Sequence, residues 1–361
     1  YRIDKTPCML AIGVQGFSYR SIDEPNGETS LNGSREGLVE PVRINMTLIR
    51  RRMKTPNLKF EMMNVGQESH TDICLCYLTN MVSDKILQEV RKRICKVDLK
   101  NILAPGYLSP YLEEKNDLAI FSSIGITERP DTVCSKISQG RIAILIDGTP
   151  NALIVPYLFS EYFKATDDYT VRPYFATLNR WLKYIAFLTS ILLPGIYVAV
   201  GTFNPEILPT ELITKIAQSV INTPFPLAIE TLITHVIYEI MREAGLRLPK
   251  NLGHAISIVG ALVIGDAAVN AGLMGASTLM VVAVAAMSSY VIPNLYEPVS
   301  CLRAFFIIVG GIFGMWGITL LFCAILINIC SKNSFGVPFS APLSPFRLSS
   351  MKDVLIRTGW K

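Results

Sequence analysis

The chain has 361 residues, 50% of them hydrophobic, with eight cysteines and a formal net charge of +5. That charge is too weak and too dispersed for a nucleic-acid binder, so no nucleic-acid partner is expected. Mean hydropathy is +0.37, but its distribution matters more than its value. Charge is dense before Lys183 and after Lys332 and sparse between them, which divides the chain into a soluble domain, a membrane domain and a short polar tail.

Residues 1–34 hold the turn signals Pro25-Asn26-Gly27 and Asn32-Gly33 and no periodic apolar face. The first residue is Tyr1, and the opening lacks the basic region and apolar core of a signal peptide. Residues 1–34 read as the remnant of a longer N-terminal region.

Residues 35–170 read as an α/β or α+β domain. REGLVEPVRINMTLIRRRMKTP predicts a helix entered at Pro41 and closed near Pro56. Its Arg43, Arg50, Arg51, Arg52 and Lys54 make either a basic surface for an acidic partner or lipid headgroups, or a solvated helix face. Thr71–Leu78 predicts a buried strand, and Asp84–Val97 an amphipathic helix capped by Ser83. A further strand is expected near Leu118–Ser122. RIAILIDGTPNALIVP predicts a hairpin turning at Asp147-Gly148. A DGT triplet after a strand also suits a phosphoryl-accepting aspartate, but the turn explains it with nothing further. Glu128-Arg129-Pro130-Asp131 reads as a charged turn, with Arg129 and Arg141 as partners for its carboxylates.

The cysteines stand at 8, 74, 76, 95, 134, 301, 323 and 330, with no zinc-type CxxC pair. His70, Cys74, Cys76 and Cys95 are the conceivable ligand set. Cys74 and Cys76, however, alternate like one face of a strand, so reduced structural thiols are expected, with no metal or cofactor. No P-loop, GxGxxG, HExxH or GxSxG occurs, so no catalytic residues and no enzyme are expected.

Residues 171–333 read as the membrane domain. Arg180-Trp181-Leu182-Lys183 makes an interfacial anchor before a span over 184–203, kinked at Pro194-Gly195. Pro224–Arg242 carries Glu230, His235 and Glu239, too polar to face lipid all round. It reads as an interfacial or re-entrant helix, or as a span packed inside an assembly. His235 is either a packed hydrogen-bonding group or a proton switch.

Ala255–Pro293 organises the domain as two crossings, 255–273 and 275–293, rich in small residues that let helices approach closely. Val259, Val263, Asp266 and Asn270 fall on one helical face of the first crossing. A carboxylate and an amide at membrane depth point to protein or water, which makes this face a candidate pore or coupling surface. The alternative is that Asp266 pairs with Arg303 or Lys250 and lines nothing. Asn294–Arg303 reads as a short polar connection, and 304–330 as the clearest span, with Gly310 and Gly314 in GxxxG spacing. Basic residues outside the first and last spans place the soluble domain and the tail, 334–361, in the cytoplasm. Four crossings and one embedded helix result.

REGLVEPVRINMTLIRRRMKTPNLKFE, TERPDTV, GRIAILIDGTPNALIVP, RPYFATLNRWLKYIAF, PFPLAIETLITHVIYEIMREAGLRLP, SIVGALVIGDAAVNAG and SFGVPFSAP resemble the A subunit of GerA-type spore germinant receptors. They do so in matching order, from about Gly33 to about Pro345. The stage V sporulation protein AF is a close relative in the same family, and the soluble-domain blocks favour the receptor subunit. The resemblance implies a two-part cytosolic domain, a membrane domain, and a location in the inner membrane of bacterial endospores. It also implies two partners, a transporter-like, nutrient-binding B subunit and a lipoprotein C subunit. By the same resemblance, copies of the A subunit form a nutrient-gated cation channel. Ala255–Gly272 would line the pore, Val259 and Val263 would form its apolar constriction, and a ring of Asp266 carboxylates would favour cations. Asp266 departs from the uncharged polar residue expected in relatives. A non-conducting assembly subunit, coupling the nutrient-binding partner to a separate channel, is the alternative.

Overall fold

The computed structural model describes residues 19–25, 27–28, 33–114, 119–221, 223–247, 265–346 and 353–357. The chain forms two compact units, residues 1–112 with 125–155, and residues 113–124 with 156–361.

In the first unit, helix α1 (Val42–Arg52) is followed by strands β1 (Leu58–Val65) and β2 (Thr71–Leu78) and helix α2 (Asp84–Cys95). The one-turn helix α3 (Ser109–Leu112), strand β3 (Gly125–Thr127) and helix α4 (Pro130–Ser138) come next. Strands β4 (Ile142–Ile146) and β5 (Ala152–Val155) close the unit. The sheet order is β1-β2-β4-β5-β3, and every pairing is antiparallel, which selects α+β over α/β.

The sheet is covered on both faces. Cys74 and Cys76 pair with Leu145 and Ala143 in register and share a buried cluster with Val42 and Ile49 of α1 and Val133 and Ile137 of α4. The opposite face carries Ile73, Leu75 and Tyr77, and there Arg91 of α2 donates to the Tyr77 hydroxyl and to Glu61. Burial from both sides explains why DICLCYL and IAILI are almost continuously apolar instead of alternating.

Two local expectations change, and one strand was not expected. Leu58–Val65 is a strand whose Lys59, Glu61 and Asn64 hid it, because an edge strand is half solvated. Pro130 opens α4 instead of a turn, at the first helical position where its missing N–H costs nothing. Residues 119–122 are irregular, not a strand.

Three of the four arginines of α1 are internally engaged. Arg50 donates to the Thr55 and Leu58 carbonyls and lies over the Phe60 ring. Arg51 and Arg52 pair with Glu36. The Cys74 and Cys76 sulfurs stand 3.7 Å apart in the core. Among the described residues no group of His, Cys, Asp or Glu could hold a metal ion.

The second unit is helical: α5 (Pro173–Phe203), α6 (Thr210–Ile221), α7 (Leu227–Arg247), helical residues 265–270, α8 (Ala276–Tyr290) and α9 (Tyr296–Ser331). Among the described residues, α5 and the run 293–331 that contains α9 are long and apolar enough to cross a membrane. At 15 residues, α8 falls short of the ~20 that a perpendicular crossing needs. The polar connection expected at 294–303 is instead mostly the first turns of α9, and the helix kinks at Gly314, whose φ of +62° suits glycine.

Glycines set the closest approach between helices. A Cβ on Gly195 of α5 would stand 2.8 Å from the Phe306 carbonyl oxygen of α9, and one on Gly310 would stand 2.7 Å from the Gly195 oxygen. Where α9 ends, Phe121, Phe159, Phe163, Phe187 and Phe339 pack largely edge to face. Beneath them Lys332, buried, donates to the Phe121 carbonyl and pairs with Glu113 at 3.7 Å. At the start of α5, Arg180 is buried between Asp168 (3.1 Å) and Asp353 (2.9 Å). The Trp181 indole N–H donates to the Leu355 carbonyl, so residues 353–357 dock on the first turns of that helix.

Candidate functional site

Glu230, in the first turn of α7, is buried. Its Oε1 accepts the Gly275 N–H at 2.9 Å and its Oε2 accepts the Thr223 hydroxyl at 3.1 Å. Gly275 is the N-cap of α8, so the carboxylate sits where unpaired amides and the helix dipole favour negative charge. Beside this end of α8, the Tyr197 hydroxyl of α5 bonds with Ser277 and Thr278.

Two turns along α7, Glu239 collects donors from two helices. Tyr296 and Ser300 of α9 donate to it at 2.7 and 2.6 Å, and Arg242 Nε donates at 3.2 Å while its guanidinium lies over the Tyr296 ring at 3.9 Å. Arg303 is wholly buried, with Nη1 3.9 Å from Glu239 Oε1. Its Nε donates to the Ser190 carbonyl of α5 at 2.9 Å, and its Nη2 donates to the Ala285 carbonyl of α8 at 3.2 Å. His235 Nδ1 also stands 3.9 Å from Glu239 Oε1, too far for a hydrogen bond, and that nitrogen has no hydrogen-bond partner among the described residues.

The structure therefore gathers His235 and Glu239 into one cluster and gives Glu230 a separate capping role. Asp266 and Asn270 are exposed, one turn apart on helical residues 265–270. Val259 and Val263 lie outside the described residues. The pairing of Asp266 with Arg303 is not formed, since Arg303 is committed to Glu239, Ser190 and Ala285. Lys250 lies outside the described residues. Arg303 is a member of the cluster that sequence reasoning weighed against the wrong carboxylate, Asp266 instead of Glu239. It adjoins the apolar run as a boundary cation would, and the available signal was a carboxylate, Glu239, on another apolar helix with no partner assigned.

Fold and site together define a membrane-associated protein, in which an α+β unit precedes apolar helices that enclose an ion-paired carboxylate. The chain matches, over residues 1–361, the family described as Bacillus/Clostridium GerA spore germination protein. It belongs to the GerA family, as an A-subunit-like spore germination protein.

It is 40% identical over 353 residues to spore germination protein KA of Bacillus subtilis (strain 168), covering 97% of this chain and 65% of that protein. To spore germination protein B1 of the same organism it is 36% identical, covering 96% and 72%. To spore germination protein GerLA of Bacillus cereus it is 34% identical, covering 98% and 72%. The chain thus spans 65% to 72% of the length of these relatives. A crystal structure of the N-terminal domain of the A subunit of the Bacillus megaterium spore germinant receptor GerK3 matches at 38% identity. It covers 34% of this chain and 97% of that one, with a TM-score of 0.28.

Proposed function

We propose that this chain is the A subunit of a nutrient-responsive germinant receptor in the inner membrane of endospores, and that copies of it assemble into a gated cation channel. Its partners are a transporter-like, nutrient-binding B subunit and a lipoprotein C subunit. The first unit and the tail are cytosolic, and residues 255–272 line the pore, with Val259 and Val263 at its constriction.

One observation carries the reading. Asp266 and Asn270 are exposed on one helical stretch, and Arg303, one of the two cations weighed as a partner for Asp266, is engaged elsewhere, while the other, Lys250, lies outside the described residues. A carboxylate with no ion-pair partner among the described residues suits a water-lined surface shared between copies, where like charges concentrate counter-ions.

The test is cysteine-accessibility scanning of residues 255–272 in a background without native thiols. Labelling by a small water-soluble reagent at 259, 263, 266 and 270, with silence between them, is the expected result. Uniform protection moves the function to a non-conducting subunit that couples the nutrient-binding partner to a separate channel.

A further inference from the structure

Pro194 lies in the middle of α5 and has no amide hydrogen, so the carbonyl four residues before it, Ser190, loses its helical donor. A carbonyl left without a donor in a buried, apolar setting is costly. Ser190 is buried, and the donor that reaches its carbonyl comes from another helix, as Arg303 Nε at 2.9 Å. The same guanidinium holds the Ala285 carbonyl of α8 through Nη2 and faces Glu239 of α7 through Nη1. One planar fork therefore touches three helices besides its own, a geometry available to Arg and not to Lys.

We propose that Pro194 and Arg303 form one conformational device, a proline bend in α5 that is completed from α9 and held in place by Glu239. The bend is set by a side chain that α5 does not own. Movement of α9 therefore changes the donor available at the bend, and α5 cannot keep that geometry when Arg303 withdraws. Glu239 is suited to hold the clamp because its remaining donors, Tyr296, Ser300 and Arg242, fix it independently of Arg303. Gly195, one residue past the proline, packs directly against the Phe306 backbone, so a change of bend is felt at once in the α5–α9 contact.

The device makes a suppressor prediction. Arg303→Lys keeps a positive charge for Glu239, but one ammonium cannot serve two carbonyls and a carboxylate in the fork's geometry. Pro194→Ala restores the amide that the Ser190 carbonyl lost, and its Cβ adds no volume. Full-length variants in native membranes are compared by the temperature at which half of the folded protein is lost.

Arg303→Lys is expected to lower that midpoint by roughly 5–10 °C. Adding Pro194→Ala is expected to recover at least half of the loss. If the two substitutions simply add, the carbonyl is not what Arg303 serves, and the proposal is overturned. If Arg303→Lys alone does not accumulate, protein level becomes the readout. Recovery on adding Pro194→Ala then supports the device, and continued absence overturns it. No ion flux enters the measurement, so the outcome is separate from the channel reading.

Discussion

The carboxylate of Asp147 accepts the backbone N–H of Val42 at 2.9 Å, so the turn of the β4–β5 hairpin caps the first turn of α1. Gly148, at φ +85°, donates its own N–H to the Glu40 carbonyl at 3.0 Å. Asp and Gly thus divide the work of one turn, the first supplying an acceptor and the second a left-handed backbone. The DGT triplet is structural.

Asp147→Ala should lower the unfolding free energy of the first unit by about 0.5–2 kcal/mol, the usual cost of losing a helix cap. Asp147→Asn should recover part of it, because an amide oxygen still accepts the Val42 N–H. Denaturant unfolding of the full chain in detergent, followed at α-helical ellipticity, measures both. Equal midpoints for wild type and Asp147→Ala would show that the contact contributes nothing.

Glycine spacing in α9 separates into distinct duties. Gly310 faces Gly195, a Cβ on Gly311 would meet Ala228 of α7 at 2.6 Å, and Gly314 forms the kink. At Gly195 and Gly310 the nearest obstructing atom is a backbone oxygen, which no rotamer change can move aside. Gly195→Ala and Gly310→Ala should each destabilise by about 1–3 kcal/mol, as overpacking does. Gly106→Ala, where a Cβ meets open space, should stay within about 0.5 kcal/mol of wild type. Thermal midpoints of the three variants decide it, and a Gly195→Ala chain as stable as Gly106→Ala would refute the close approach.

Sequence legibility followed burial. Thr71–Leu78 is readable to the residue because both faces of that strand are covered and its apolar run is unbroken. The Asp147-Gly148 hairpin is readable because the turn chemistry is local. Leu58–Val65 is not, since an edge strand carries polar residues that resemble a loop. At the site, Glu230, His235 and Glu239 announce themselves as polar groups on an apolar helix. Their separation into a helix cap and an ion-paired cluster depends on Gly275 and Arg303, 45 and 64 positions from Glu230 and Glu239, and no local pattern encodes pairings at that range.

Acid should loosen the first unit through Asp131. Burial alone would raise its carboxyl, but Arg129, bonded through Nε at 3.0 Å and Nη2 at 2.6 Å, the Thr132 N–H at 2.8 Å and the nearby Arg52 charge together hold it below the ordinary range. A depressed folded value contributes stability that is full above the unfolded value, about 3.9, and is lost as pH falls through the folded one. Glu28 has the opposite sign, its carboxyl pushed up chiefly by burial, so its contribution grows as pH falls. Asp131→Asn should flatten the acid limb of midpoint against pH below about pH 4. An unchanged limb would assign the acid response to other carboxylates.

Thiol reactivity should follow burial. Burial pushes the Cys134 thiol up to about 11 and raises Cys76 well above its ordinary value, while Cys95 is exposed at the end of α2. Because the thiolate is the nucleophile, iodoacetamide at pH 8 should alkylate Cys95 before Cys74, Cys76 and Cys134, the other described cysteines of the first unit, and leave those three largely intact in the folded protein. Mass spectrometry of timed digests reads the order. Early modification of Cys76 would mean that the covering of the sheet by α1 and α4 opens readily.

The channel reading is most exposed at Asp266. If copies of this chain surround a pore, Asp266→Asn removes a ring of charge without changing its size, and Val263→Ala widens the apolar constriction without adding polarity. The first should slow the early release of monovalent cations several-fold, since a carboxylate ring raises local cation concentration. The second should alter gating, as release without nutrient or as a changed response to it. Met280→Ala, at an exposed position on α8, serves as the comparison. Cation release from spores carrying each variant, measured alongside receptor level, separates the readings. Effects at 266 and 263 with none at 280 fit conduction along that face. Release matching wild type in both, at wild-type receptor level, removes the pore and leaves a subunit that couples nutrient binding to a channel formed elsewhere.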